Sequence, residues 1–150
     1  MPIAIRAARP EDDRRLHAIH ADATMSSYGR AHAWLEPILR DPATPLEEVG
    51  WTIVALDGDD VLGYAAVTDA HLENLYIDPA AQGRGVGSAL LAEVEARVGA
   101  QFAVMTLRCL HANPNARRLY ERSGYQVRET QTITLHGMPL ASWLMAKPLR

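Results

Sequence analysis

The stretch Gln82-Gly83-Arg84-Gly85-Val86-Gly87-Ser88 has the composition of an anion cradle. Three glycines at alternate positions leave the backbone bare and free to take positive φ. Successive N–H groups can then converge on one point. Ala89-Leu90-Leu91 follows with an apolar helical pattern, and a helix N-terminus adds unpaired N–H groups and a partial positive charge. Arg84 brings a full charge beside it. A phosphate or pyrophosphate fits such a seat. Spacing excludes the two best-known phosphate loops. The P-loop needs a lysine before its Ser or Thr, and Gly87 is followed directly by Ser88. The dinucleotide fingerprint Gly-x-Gly-x-x-Gly fails because Ser88 and Leu90 stand where its last glycine would fall.

What remains is Gln82-x-x-Gly85-x-Gly87 behind a strand that ends in Asp78-Pro79. A second pattern lies further on, Asn113-Pro114-Asn115-Ala116-Arg117-Arg118-Leu119-Tyr120-Glu121-Arg122-Ser123-Gly124-Tyr125. Asn113 suits an N-cap, Pro114 the first helical position and Gly124 a helix end. Residues 115–123 are therefore expected to form a short helix leading into a strand. The glycine loop resembles the acetyl-CoA loop of the GCN5-related N-acetyltransferase (GNAT) superfamily. The second run matches that family's signature Asn-x-x-Ala-x-x-Leu/Phe-Tyr-x-x-x-Gly-Phe/Tyr. The resemblance covers Val54 to Leu149, and the first fifty residues carry no signature of their own.

The resemblance implies transfer of an acetyl group from acetyl-CoA directly to a primary amine of a small molecule or peptide, through a ternary complex and without a metal. It implies that Gln82, Gly83, Arg84, Gly85, Val86, Gly87 and Ser88 hold the pyrophosphate. It gives the pantetheine arm and the acetyl carbonyl to the backbone of Leu75, Tyr76 and Ile77, in a gap between two strands that splay apart. Asn113, Asn115, Ala116 and Tyr120 complete the cofactor side. Tyr120 is the candidate general acid for the departing thiolate, a phenol of pKa about 10 against a thiol of about 8.5. Glu73 is the candidate base, since an alkyl amine of pKa about 10.4 is almost wholly protonated at neutral pH. Simple alternation puts Glu73 on one face with Leu75 and Ile77, where a carboxylate is costly unless paired or functional; the alternatives are a partly solvated face or a bulge that resets the alternation. Alternation puts Asn74 and Tyr76 on the other face as alternative site liners. The branch that acetylates ribosomal protein N-termini carries a glutamate five residues before the signature asparagine; here Arg108 stands there. The family's acceptor wall, carried over, makes Met25, Tyr28, His32, Trp34 and Trp143 candidates for substrate contact. A competing reading is an inert acyl-CoA-binding sensor or interaction module on the same fold, which retention of Tyr120 disfavours.

Positioning these residues requires a particular series of elements. Residues 3–7 alternate like a strand, and Pro10 with three acids opens a helix whose inner face holds Leu16, Ile19 and His20. Residues 24–29 read as a loop and 31–39 as a second helix with Trp34, Leu35 and Ile38 turned inward. Strands are expected over 51–56 and 61–67, joined by the hairpin signal Asp57-Gly58-Asp59-Asp60, and over 72–77. Val86, Leu90, Leu91, Val94 and Val98 mark a helix after the glycine loop. A strand over 102–107, the Asn113 helix and a closing hairpin complete the order β-α-α-β-β-β-α-β-α-β-β. This is an α/β (α+β) fold of the GNAT type, a mixed and mostly antiparallel twisted sheet of about seven strands with about four helices. The 150 residues, 48% apolar and 22% charged, are expected to form a single N-acetyltransferase domain. A net charge of −3 argues against nucleic acid or anionic lipid as partner and against a nucleotide-regulated DNA binder. The lone Cys109 permits no internal disulfide, and no leader or spanning segment is visible, which points to the cytoplasm. Cys109 is expected to be a buried strand thiol. His17 and His20, one turn apart, lack a third ligand and are expected to line a surface or pocket rather than bind metal. A homodimer is an option that the resemblance leaves open.

Overall fold

The computed structural model describes residues 2–43 and 49–150, with the backbone alone for 28–31. The elements run β1 (Ala4–Ala7), α1 (Asp13–Tyr28), α2 (Glu36–Arg40), β2 (Trp51–Asp57), β3 (Asp60–Thr68), β4 (His71–Ile77), α3 (Val86–Gly99), β5 (Val104–Leu110), α4 (Pro114–Arg122), β6 (Gln126–Leu135) and β7 (Met138–Pro148). Short 3-10 turns at Pro10–Asp12, Gly29–Leu35 and Pro79–Ala81 link them. The seven strands form one sheet in the order β1-β2-β3-β4-β5-β7-β6. Every neighbouring pair is antiparallel except β4 with β5.

Both faces of the central strands are covered, which explains their unbroken apolar runs. On one face Ile53, Ala55, Ala65 and Val67 pack with the stripe Val86, Leu90, Leu91, Val94 and Val98 of α3. On the other, Val54, Leu56 and Tyr64 pack against Leu16 and Ile19 of α1. Gly58 takes φ +61° in the β2–β3 turn, and His136 and Gly137 both take positive φ in the β6–β7 turn. Two consecutive positive-φ residues twist a hairpin in the sense its strands require.

Two expectations for the N-terminal third need correction. Residues 24–28 are not a loop, because α1 continues through Tyr28. Buried Ala21 and Thr24 extend its inner face, and Ser27 Oγ donates back to the Ala23 carbonyl at 3.2 Å. Burial outweighs the weak helix preference of Ser and Thr there. The second helix is not continuous over 31–39 either. A 3-10 turn kinked at His32 occupies Gly29–Leu35, and regular helix begins at Glu36. Leu35 is fully buried, but Trp34 is 46% exposed rather than turned inward.

The feature that matters most for function is a fork in the sheet. Strands β4 and β5 pair only at His71–Thr106 and Leu72–Leu107, and then part. On its other edge β4 changes register against β3: Leu72 faces Val67, and the next partnered residue, Asn74, faces Ala66. Glu73 is thus the extra residue of a β-bulge. A bulge bends its strand and sharpens its twist, and β4 leaves β5 at this residue.

Candidate active site

The fork opens into two cavities that meet at Leu75, Tyr76, Asn113, Ala116 and Tyr120. One faces the glycine loop and is lined by Ile77, Gln82, Gly83, Gly85, Val86, Gly87, Ser88 and Asn115. The other, of about 370 Å³, faces α1 and the closing hairpin. Its walls include His20, Thr24, His71, Glu73, Arg108, Ile133 and Leu135.

The loop is held from behind. Asp78 Oδ1 accepts from Ala80 N–H at 3.0 Å, and Asp78 Oδ2 receives Arg15 Nη2 at 2.6 Å. That guanidinium holds the Asp78 carboxyl below the usual carboxylate range. Gly83 (φ +80°) and Gly85 (φ +78°) both lie in the left-handed region, where a side chain would be strained. A Cβ at either would meet nothing within 4 Å, so conformation rather than crowding calls for glycine. Gly87 differs: its Cβ would come 3.1 Å from Leu119 Cδ2, so its bareness lets α3 approach α4. Arg84 Nη2 pairs with Asp57 Oδ2 at 2.7 Å, and the residue is absent from the cavity wall. Main-chain N–H groups of the loop and Arg122 on the α4 side are the positive groups that face this cavity.

Helix α4 begins as the sequence predicts. Asn113 Oδ1 accepts from Ala116 N–H at 3.1 Å, with Pro114 in the first turn. Gly124 takes φ +99° just beyond the helix end. Tyr120 is buried, and its ring packs edge-on against Tyr125 at 5.9 Å. Tyr125 in turn donates its hydroxyl to Glu95 Oε2 at 2.7 Å, and Lys147 Nζ bridges both Glu95 oxygens. This chain fixes α4 on the sheet. Burial, with Cys109 and Tyr76 nearby, pushes the Tyr120 phenol well above its ordinary range. Cys109 is buried as expected, and burial raises its thiol to about 11.

Glu73 and Tyr120 line the same cavity. The bulge, however, breaks the alternation that placed Glu73 with Leu75 and Ile77. The regular positions, Leu72, Leu75 and Ile77, belong to the α3-side core, and Glu73 is the half-buried residue left over. Asn74 and Tyr76 line the cavity too. Next to the bulge, His71 Nδ1 lies 2.7 Å from Thr106 Oγ1 across the last rungs of the fork. Burial lowers the His71 pKa, with Glu73 opposing and Arg108 assisting. His20 stands edge-on to Tyr76 at 4.7 Å, and burial lowers it to about 4. Both imidazoles are neutral at neutral pH. Thr24 Oγ1 is buried without a hydrogen-bond partner.

The lining of the α1-side cavity differs from the acceptor wall that the resemblance implies. Met25 packs in the cluster of Leu35 and Leu39, behind the cavity-lining Leu110 and Leu135. Trp143 is sandwiched between His111 (3.8 Å) and Arg117 (4.0 Å). Neither these two nor His32 or Trp34 lines either cavity, and the Tyr28 side chain lies outside the described residues. Thr24, His71, Ile133 and Leu135 take those places. Only tertiary packing brings them there, and no local pattern in the sequence marks them. Among the described residues, no group of His, Cys, Asp and Glu is disposed to hold a metal, and no helix is long and apolar enough to cross a membrane.

Comparison with known proteins agrees with this geometry. Residues 48–127 match the family model described as acetyltransferase (GNAT) domain. The peptidyl-lysine N-acetyltransferase YjaB of Salmonella typhimurium is 30% identical over 145 residues, covering 93% of this chain and 94% of that protein. The GCN5-related N-acetyltransferase structure from Rhodopseudomonas palustris aligns with a TM-score of 0.80 at 24% identity, over 99% of this chain and 96% of that one. The yncA structure from Salmonella typhimurium, solved with its cofactor acetyl-CoA, aligns with a TM-score of 0.71 at 20% identity, over 99% and 94%. These two likenesses speak for the fold. The family model spans more than half of the residues and the YjaB match runs almost end to end, so this chain belongs to the GNAT acetyltransferases, the family its two motifs resemble.

Proposed function

We propose that this acetyltransferase moves the acetyl group of acetyl-CoA to a primary amine of a small molecule or peptide by direct displacement. The observation that carries the reading is the fork: β4 and β5 part after two rungs, and buried Tyr120 stands where the two cavities meet. On one side the amides of residues 82–88 and the α3 N-terminus suit a pyrophosphate. The edge of β4 at Leu75, Tyr76 and Ile77 has lost its β5 partner and suits an extended amide-bearing arm laid along it. Main-chain N–H groups on that edge can stabilise charge developing on the acetyl oxygen, a term of about 3–4 kcal/mol in acyl transfer. The continuity of the sheet supports reading residues 1–150 as one N-acetyltransferase domain.

The chemistry balances with two side chains. Glu73, directly or through water, takes the proton that an ammonium must lose before its nitrogen can attack. The nitrogen lone pair forms the new C–N bond to the acetyl carbon while the C–S bond breaks, and the nitrogen gives up its second proton to water as the amide forms. Sulfur leaves with that bonding pair, and Tyr120 protonates it. A phenol raised by burial does not persist as phenolate, so Tyr120 draws its proton back from solvent or from the group that received the amine proton.

The test is thiol release from acetyl-CoA with a panel of amines that includes a lysine-containing peptide, the acceptor class named for the YjaB relative. Release with at least one amine, together with a rise in melting temperature on adding CoA but not ATP, is the expected outcome. An inert acyl-CoA-binding module would show the second result without the first.

A further inference from the structure

The α1-side cavity carries one carboxylate, Glu73, and one permanent cation, Arg108, among the residues that line it. Leu72–Leu107 is the last paired rung of the fork, so Glu73 and Arg108 are the first residues beyond it, one on each arm. Neither forms an ion pair with the other or with any described residue. Arg108 is nevertheless held in place. Its Nε donates to the neutral Gln131 Oε1 at 2.8 Å, and the Gln131 amide donates to Glu129. That exposed contact orients the guanidinium through Nε and leaves its terminal N–H groups without a hydrogen-bond partner among the described residues, able to meet a carboxylate in a two-pronged fashion. The other basic groups on this wall, His20 and His71, are neutral imidazoles. Thr24 supplies an independent sign of a missing polar ligand. Thr24 is 6% exposed and lines this cavity, and its buried hydroxyl has no hydrogen-bond partner. Buried hydroxyls are seldom left so. Leu110, Ile133 and Leu135 add an apolar wall.

A ligand with an anion and an amine a few bonds apart would satisfy both charges at once. We propose that the acceptor is a free α-amino acid with an apolar side chain, its carboxylate held by Arg108 and its amine delivered beside Glu73. This deepens the acetyltransferase reading and rests on it. The carboxylate is unchanged by the reaction, which forms C–N at the amine and releases the thiol as above.

The experiment compares matched acceptors with acetyl-CoA: L-leucine against isoamylamine and leucinamide, L-phenylalanine against phenethylamine, and a lysine peptide. The expected result is a kcat/KM for the amino acid about tenfold to a hundredfold above that of its decarboxylated partner, the range a charged hydrogen-bonded pair supplies. Arg108→Gln should bring that ratio close to one, mainly through KM, and Arg108→Lys should restore part of it. Melting with acetyl-CoA checks that both variants are folded. Equal kcat/KM for acid and amine, an unchanged ratio in Arg108→Gln, or acetylation of the peptide but no free amino acid each overturns this inference and leaves the acetyltransferase reading standing. Failure to release thiol with any acceptor overturns both.

Discussion

Tyr120 combines two properties that rarely coincide: a polar hydroxyl group at the meeting point of two cavities and burial deep enough to suppress its ionisation. A general acid must be protonated when it is needed, and a raised pKa widens the pH range in which that holds. Tyr120→Phe keeps the ring and its contact with Tyr125 but removes the proton. We expect kcat to fall by about 10²–10⁴, with acetyl-CoA binding by calorimetry little changed. Unaltered turnover would take Tyr120 out of the chemistry or show that another step limits the rate. The sign of the shift gives a second expectation. Because the folded pKa lies above the ordinary phenol value, loss of the acid form cannot set an alkaline limb below about pH 10. A pH–kcat profile with a limb at lower pH that disappears in Tyr120→Phe would contradict the assignment. Arg84 shows the limit of reading single residues. Its charge and position in the loop suggest a phosphate ligand, yet Asp57, twenty-seven residues earlier, claims it.

At the level of elements, helix α1 is fastened to the start of the glycine loop by Arg15 and Asp78, with Arg15 Nε also donating to the Val61 carbonyl at 3.1 Å. The clip therefore joins α1, β3 and the β4–loop junction. Asp78→Asn should cost about 1–2 kcal/mol, between an exposed ion pair and a charged hydrogen bond, and lower the melting temperature by about 3–6 °C. The pH dependence has a definite sign. The folded Asp78 pKa is depressed, so its contribution is complete above the ordinary carboxylate pKa and is lost as pH falls through the folded value. Wild type and Asp78→Asn should thus differ in melting temperature at pH 6–7 and converge in acid; a constant gap would mean that the ion pair contributes nothing. The elements themselves were largely legible. Strand β3, helix α3 with its stripe, and α4 with its Asn113–Pro114 start follow from periodicity and capping, which are local. The bulge at Glu73 was legible only as an alternative to plain alternation, because register is decided by β3 and leaves a faint trace in β4. The extension of α1 through Ser26 and Ser27 was hidden for a similar reason, since burial of Ala21 and Thr24 depends on the sheet beneath. The lining of the α1-side cavity was least legible, as Thr24, His71 and Ile133 converge from three separate elements.

On the scale of the molecule, the sheet consists of two antiparallel parts, β1–β4 and β5-β7-β6, joined in hydrogen bonding by the short parallel ladder at His71–Thr106 and Leu72–Leu107. Apolar packing connects them on both faces: the α3 cluster takes Ile53 and Val67 from one part and Met105, Leu107 and Met145 from the other, and α1 packs on Val54 and Tyr64 through Leu16 and Ile19 and clusters with Leu110, Leu135 and Leu140 through Ala21. A ligand whose arm lies along β4 and whose pyrophosphate sits on α3 would add polar contacts across the fork that the polypeptide lacks. Binding to the folded state alone stabilises by about 2.7 kcal/mol at a free concentration one hundred times Kd, which for a chain of this size is a melting-temperature rise of about 5–10 °C. The location of the gain is the sharper expectation. Hydrogen exchange with and without acetyl-CoA should show new protection in residues 73–77 and 82–88 and around Asn113, while β1 and β2, already paired in the antiparallel ladder, change little. A melting-temperature rise with no added protection in 73–77 would mean that the arm runs outside the fork, and the oxyanion role assigned to that strand edge would fall with it.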